Sequence, residues 1–225
     1  MKYALLLLAA AACLPAQVAS EANATYRTAE QRKGVAAGLS DPKRDEKQNP
    51  REIIRAMRIE KGATVADVGT GIGYMLPFLS RAVGEQGKVI AEDIFDDFLA
   101  AARERVETQN LKNVSYVKGS EADPNLPAGQ IDRVLILETY HHFDYPDKML
   151  AAVAKALKPG GRLVVVEYYK RPEAMPNGRA MTHIRLDMPD VIKEVEANRF
   201  HLVAEKETIP NVQYMLVLEK KSESK

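Results

Sequence analysis

The chain has 225 residues, 46% of them hydrophobic, which is enough to bury one substantial core. Its 32 basic and 31 acidic residues leave a formal net charge of +1, so composition supplies no electrostatic footprint for nucleic acid. No apolar run approaches the ~20 residues of a membrane-spanning helix.

Residues 1–24 read as a secretory signal peptide. Lys2 is followed by an apolar run from Ala4 to Leu14, the helix breaker Pro15, and a small-residue stretch ending at Ala24. Cleavage after Ser20 or after Ala24 would put small residues at both key positions. The expectation is an exported, periplasmic protein with no stable membrane insertion once the leader is removed. A plain N-terminal helix is one alternative. Lipid anchoring at Cys13 is another, less favoured than cleavage because Ala10 stands three residues before it instead of a larger aliphatic side chain. If Cys13, the single cysteine, leaves with the leader, the mature chain has no disulfide, no thiolate chemistry and no cysteine-based zinc site.

Residues 25–49 form a polar extension with a helical piece over residues 29–37, punctuated by S-D-P-K-R-D-E-K-Q-N-P. Pro50 suits the first turn of a helix capped by Asn49, with Ile53, Ile54 and Met57 on its apolar face. The main domain then runs over residues 50–220 and leaves 221–225 as a disordered tail.

Within that domain, Val65, Ala66 and Val68 read as the end of a buried strand that enters Gly69, Gly71 and Gly73 directly. Glycines let the backbone turn sharply and approach a ligand. The helix expected from about Tyr74 turns its free N–H groups and positive dipole end toward the same place. The stretch is a nucleotide-type cradle. Alternation continues downstream: a helix over 75–83, a strand in K-V-I-A-E-D, a helix over 95–109, and a strand in V-S-Y-V-K. A loop over 120–130 leads to the uninterrupted apolar strand R-V-L-I-L-E, then a helix over 148–157, the turn K-P-G-G and the strand R-L-V-V-V-E-Y. After a loop over 170–182 and a helix over 189–198, two strand-like runs follow with only a short connection, which requires a hairpin. The fold class is α/β: a doubly wound, mostly parallel sheet with helices on both faces and an antiparallel last strand.

A dinucleotide fingerprint would place its third glycine at position 74, which is tyrosine, so a nicotinamide dehydrogenase has the wrong spacing. D-V-G-T-G-I-G instead resembles the first motif of class I S-adenosylmethionine-dependent methyltransferases, and the resemblance covers roughly residues 44–220 in the family's order. It implies a Rossmann-like seven-stranded sheet and S-adenosylmethionine as cofactor. Asp67, Gly69, Thr70, Gly71 and Gly73 would form the cradle, with Asp67 near the cofactor's ammonium group. Asp93, twenty residues after Gly73, would hold the ribose hydroxyls, and a carboxylate there can accept two hydrogen bonds from a diol. Adjacent Glu92 is the alternative for that role. Ser120 and Glu121 would contact the adenine, and Glu138 would face the methionine portion. The K-P-G-G turn is read as structural. The segment R-D-E-K-Q-N-P resembles an R-D-x-x-R-x-P segment of predicted exported bacterial methyltransferases, although Gln48 stands where that group has a basic residue.

The acceptor is expected beyond the carboxyl ends of the strands, among T-Y-H-H-F-D-Y, the loop after the fifth strand and the N-terminal segment. His141 and His142 are the candidate catalytic bases, with helix capping and packing as their bland alternative. No metal is expected, because adjacent histidines do not share a ligand-presenting face. His183 and Arg185 follow the loop after the fifth strand and could line the acceptor pocket, with a solvated helix start as the favoured alternative, and His201 is expected as a strand-edge surface residue. L-E-T-Y after the fourth strand lacks an amine-methylating N-P-P-Y motif. A small hydroxyl-bearing, phenolic or carbon acceptor remains, with no nucleic-acid partner and the oligomeric state unassigned. The rival from another class is a non-catalytic exported binding or scaffold protein that retains the fold.

Overall fold

The computed structural model describes residues 17–221, so Cys13, the leader's apolar run and residues 222–225 lie outside the described residues. In chain order the elements are α1 (Ala29–Leu39), α2 (Arg44–Gln48), α3 (Pro50–Met57), β1 (Thr64–Val68), α4 (Leu76–Val83) and β2 (Lys88–Asp93). They continue with α5 (Asp96–Thr108), β3 (Val114–Lys118), β4 (Ile131–Leu137), α6 (Pro146–Ala156) and β5 (Leu157–Tyr168). The chain then closes with α7 (Ala180–His183), α8 (Met188–Ala197), β6 (Phe200–Ile209) and β7 (Gln213–Lys220). None of the described helices is long and apolar enough to cross a membrane.

The seven strands make one sheet in the order β3-β2-β1-β4-β5-β7-β6. The first five strands are parallel to one another, and β7 runs antiparallel to both β5 and β6. This is the doubly wound, Rossmann-like sheet with an antiparallel last strand that the alternation pattern calls for. Strand order reverses between β1 and β4, whose ends are in register at Val68 and Ile136, so the crevice for ligands opens there.

The apolar run of β4 divides by strand periodicity. Val134 and Ile136 join a core layer with Met149, Leu150 and Val153 of α6 and with Val191 and Val195 of α8. Leu135 and Leu137 face the other layer, built by Ile53 and Met57 of α3, Leu76, Leu79 and Val83 of α4, and Ala102 and Val106 of α5. A strand covered on both faces has no place for alternating polar residues, which is why the sequence there is continuous.

One local expectation is corrected. Asn49 does not cap α3 with its side chain. It lies in the left-handed region at φ 46° and joins α2 to α3, its N–H closing the first helix on the Asp45 carbonyl. Asparagine tolerates that conformation better than most side chains, and α2 leaves no extended residue for an ordinary cap. The unanticipated capping box is at Thr28, whose hydroxyl accepts the Gln31 N–H while Gln31 accepts the Thr28 N–H. The K-P-G-G turn is structural, as expected: Gly160 takes φ 73° within the long strand β5.

Candidate cofactor and acceptor site

The glycine loop leaves β1 at the switch point and is held from beneath by the acids that end β2. Gly69 N–H donates to Glu92 Oε2 at 3.1 Å, and Gly71 N–H donates to Asp93 Oδ2 at 2.9 Å. The other Asp93 oxygen accepts Phe95 N–H at 3.0 Å. Thr70 Oγ1 donates to Asp67 Oδ2 at 2.7 Å. A Cβ at Gly69 would fall 2.2 Å from Thr139 Cγ2 and close the loop against β4. Gly73 corrects an expectation, since it does not line the cavity. A Cβ there would meet Leu76 Cδ1 at 2.8 Å and Ala102 Cβ at 3.1 Å, so this glycine lets the loop pack on α4 and α5.

The other sequence-derived site residues meet at one cavity of about 920 Å³. Asp67, Gly69, Thr70, Gly71, Asp93, Ser120, Glu121, Glu138, His141 and His142 all line it, and so does Glu92. Ser120 is also committed locally: its hydroxyl donates to the Asp123 carbonyl and accepts the Asp123 N–H, both at 3.1 Å. Glu121 accepts the Gln17 side-chain amide at 3.0 Å.

The cradle concentrates negative charge in a dry place. Burial pushes the carboxyls of Asp67 and Asp93 up to about 6, and it pushes Glu92 well above the carboxylate range with help from neighbouring Asp93. Glu92 Oε1 is buried with no hydrogen-bond partner among the described residues. Unpartnered acceptors and buried acids side by side suit a ligand that brings cationic groups and hydroxyl donors, which an aminoacyl sulfonium nucleoside does.

The N-terminal segment and the loop after the fifth strand do meet at this cavity, as expected, although the sequence did not single out most of the residues they bring. Asn23, Tyr26 and Arg44 from the N-terminal region line it, and so do Tyr168 at the end of β5 and Arg179 and His183 from beyond it. Arg44 Nη2 lies 3.1 Å from Glu138 Oε2, and its guanidinium stacks over the Tyr74 ring with Cζ 4.1 Å from the centroid. The Tyr74 hydroxyl donates to Asp45 at 2.9 Å, so the R-D pair of the N-terminal motif clamps α2 over the cradle. Tyr26 stacks on Phe95 at 6.1 Å and meets the His142 ring edge-on at 4.7 Å. Part of the segment expected as leader also packs here. Ala19 and Ala22 are buried, and the Asn23 amide donates to the His142 carbonyl at 3.0 Å and to Asp144 Oδ2 at 3.1 Å.

His141 and His142 sit on a short 3₁₀ turn, Tyr140–His142, directly after β4. His141 Nδ1 is 2.7 Å from Glu167 Oε2, and His142 Nδ1 is 2.8 Å from Asn23 Oδ1. His183 follows the pocket-lining alternative and not the favoured solvated one: it is half-buried and faces the same cavity, with its ring 4.8 Å from that of His141. Burial, with the neighbouring histidines and Arg179, drives His142 well below the usual imidazole range and His183 down to about 4. Arg185 is not a pocket residue. Its Nη1 donates to Glu194 Oε2 at 2.9 Å, and Glu194 also accepts the Tyr140 hydroxyl at 2.6 Å. His201 is exposed on edge strand β6, as expected.

Residues 65–161 match the methyltransferase domain family. A solved S-adenosylmethionine-dependent methyltransferase from Aquifex aeolicus is 28% identical and superposes with a TM-score of 0.76, covering 83% of this chain and 97% of that one. The ubiquinone/menaquinone biosynthesis C-methyltransferase of Serratia proteamaculans is 32% identical over 156 residues, 67% of this chain and 62% of that protein. The protein of the same name from Edwardsiella ictaluri is 33% identical over 131 residues, 58% of this chain and 52% of that protein. The chain therefore spans about half to three-fifths of the curated relatives it matches. The matched domain, the fold and this cradle are those of a class I S-adenosylmethionine-dependent methyltransferase, and they imply S-adenosylmethionine as the cofactor.

Proposed function

We propose that the chain moves a methyl group from S-adenosylmethionine to a small hydroxylated aromatic acceptor of quinol type, at carbon or at oxygen. The observation that carries this reading is the continuity of one cavity, about 920 Å³, from the glycine cradle to the histidine turn and Tyr168. That volume lies near the top of the ~300–1,000 Å³ range of small-molecule sites, which suits a cofactor and a second small molecule together. The names of the curated relatives point to quinone-type carbon acceptors. The lining of tyrosines, methionines and imidazoles fits a planar ring with a polar edge.

S-adenosylmethionine supplies an electrophilic methyl group on a sulfonium, and methyl transfer is an in-line displacement, so the protein's tasks are alignment and proton handling. Asp67, Asp93 and Glu92 hold the cationic, diol-bearing end. Glu138, fixed by Arg44, marks the end where the acceptor meets the donor. His141 and His142 stand on the acceptor side, beside the place of its hydroxyl, and favour loss of the proton from it. We also propose export: residues 1–20 act as the leader, and the retained segment from Glu21 covers the site. The R-D-E-K-Q-N-P motif is consistent with an exported subgroup.

Calorimetry with S-adenosylmethionine and its demethylated product, followed by transfer of labelled methyl to a panel of quinols, catechols and simple phenols, tests the reading. Binding of both nucleosides and labelling of a quinol ring are expected. Binding without transfer to any acceptor would favour the non-catalytic rival, and absence of binding would remove both.

A further inference from the structure

We propose that His141, His142 and His183 form a three-imidazole site for a divalent transition-metal ion, open on its fourth side to the cofactor cavity. One ring nitrogen from each lies within 4.8 Å of the other two, and the ring centroids are 4.0, 4.8 and 5.4 Å apart. All three line the cavity. His141 and His142 come from the turn after β4, whereas His183 arrives from α7. The set therefore exists only in the folded chain.

The outer hydrogen bonds are those of a metal site. His141 is 3% exposed, and the Glu167 oxygen beside its Nδ1 also accepts the His141 backbone N–H at 3.1 Å. That oxygen is an acceptor, so the ring proton sits on Nδ1 and the lone pair on Nε2. This buried Nε2 has no partner among the described residues. His142 repeats the arrangement. The Asn23 amide is oriented by its two donated bonds, to the His142 carbonyl and to Asp144, so its Oδ1 accepts from His142 Nδ1 and frees Nε2. An oxygen behind each imidazole that fixes its tautomer is the usual support for a ligating histidine.

Three neutral imidazoles with an open position form the donor set of catalytic zinc centres, and imidazole also suits iron, copper and nickel. At metal–nitrogen distances of about 2.0–2.1 Å the nitrogens of a tetrahedral site stand roughly 3.4 Å apart, so binding draws the cluster in by on the order of an ångström. One group opposes the ion: Arg179 Nη2 lies 3.4 Å from His183 Nδ1 and 3.5 Å from its Nε2. Arg179 is exposed and swings out to solvent when a cation enters.

The role of the ion rests on the methyl-transfer reading above. Its open position takes the acceptor's hydroxyl oxygen and acidifies it, and the hydroxyl proton leaves to water. The oxyanion raises electron density at the adjacent ring carbon, which bonds the methyl carbon as the carbon–sulfur pair returns to sulfur. The ring carbon then loses its proton, and the oxygen is reprotonated on release. One proton is set free per methyl moved.

The test uses tag-free protein stripped with a chelator and titrated with Co(II) and with Zn(II), followed by visible absorption and calorimetry. One equivalent should bind, with the strong visible bands of low-coordinate Co(II). His183→Ala and His142→Ala should each lose at least tenfold in Co(II) affinity, Glu167→Gln should lose on the order of 10–100-fold, and Arg179→Gln should bind more tightly. No stoichiometric binding by the unaltered protein, or unchanged affinity in His183→Ala, overturns the site. Cofactor calorimetry on the same samples separates the two failures. Cofactor binding without metal binding sinks this inference alone, and loss of cofactor binding in the unaltered protein sinks the methyltransferase reading.

Discussion

Arg44 Nη2 stands 3.1 Å from Glu138 Oε2, and the other Glu138 oxygen accepts Gln213 Nε2 at 2.9 Å. Three distant parts of the chain, α2, the end of β4 and the start of β7, are thus tied together at the floor of the site. Glu138 is bound there in the left-handed region at φ 52°, a conformation that costs a non-glycine residue about 1–2 kcal/mol and persists only where its surroundings hold it.

Arg44→Ala should release that strain and strand Glu138 at the same time. Both side chains are largely buried, at 14% and 13% exposure, so the loss should be about 1–3 kcal/mol of stability together with weaker cofactor binding. Thermal unfolding and calorimetry on the variant check this. An unchanged melting temperature would show that the clamp is ornamental.

Gly69 and Gly160 offer a matched pair, since both have positive φ, 71° and 73°. A Cβ at Gly69 collides with Thr139, whereas nothing lies within 4 Å of one at Gly160. Gly160→Ala should therefore cost about 1–2 kcal/mol of stability and leave cofactor affinity alone. Gly69→Ala should lower cofactor affinity more than tenfold. Equal effects of the two changes on affinity would contradict the cradle assignment.

The acids of the cradle predict a pH dependence with a definite sign. Burial raises the Asp67 and Asp93 carboxyls to about 6 in the folded chain, above their unfolded values. Groups raised in this way favour the fold in acid, and that contribution is lost as pH climbs from about 4 through 6. At one pKa unit per 1.36 kcal/mol, each acid accounts for roughly 3 kcal/mol at most. A ligand with cationic groups reverses the balance by favouring the ionised carboxylates. Cofactor affinity should therefore rise between pH 5 and 7.5, and Asp67→Asn should flatten the rise. Calorimetry across that window decides, and a flat profile in the unaltered protein would refute it.

Most of the fold was legible because it rests on short-range signals: continuous apolar strands, glycine spacing and a forced hairpin. The cradle was legible for the same reason, since Asp67 to Gly71 and Glu92–Asp93 are local strings at strand ends. The segments that cover the site were legible too, but not the pairs of residues through which they meet it. Arg44 meets Glu138 across 94 positions, and His183 reaches His141 only through the packing of α7. No periodicity encodes such meetings. The R-D-E-K-Q-N-P string did flag Arg44 and Asp45 as unusual, but their partners, Glu138 and Tyr74, emerge only from the fold. Gly73 misled for the opposite reason, because a motif position was taken for a ligand contact when the backbone needs that glycine to pass Ala102.

The two cleavage positions considered for the leader have different structural consequences, which makes proposed export testable in detail. A mature chain starting at Glu21 keeps Asn23, whose amide bridges His142 and Asp144. A chain starting at Thr25 leaves the His142 Nδ1–H and the Asp144 carboxylate without that partner in a covered site. Asp144 is only 6% exposed, so the second form should be less stable by about 1–3 kcal/mol. Because Asn23 fixes the His142 tautomer, it should also show weaker imidazole chemistry at the acceptor side. Intact-mass analysis of protein recovered from the periplasmic fraction should find the N-terminus at Glu21, and thermal unfolding of the two trimmed forms should rank them in that order. Equal stability of the two forms would remove the structural role given to Asn23, and recovery of the uncleaved chain from the cytosol would remove the leader and leave residues 17–24 as a permanent part of the wall around the site.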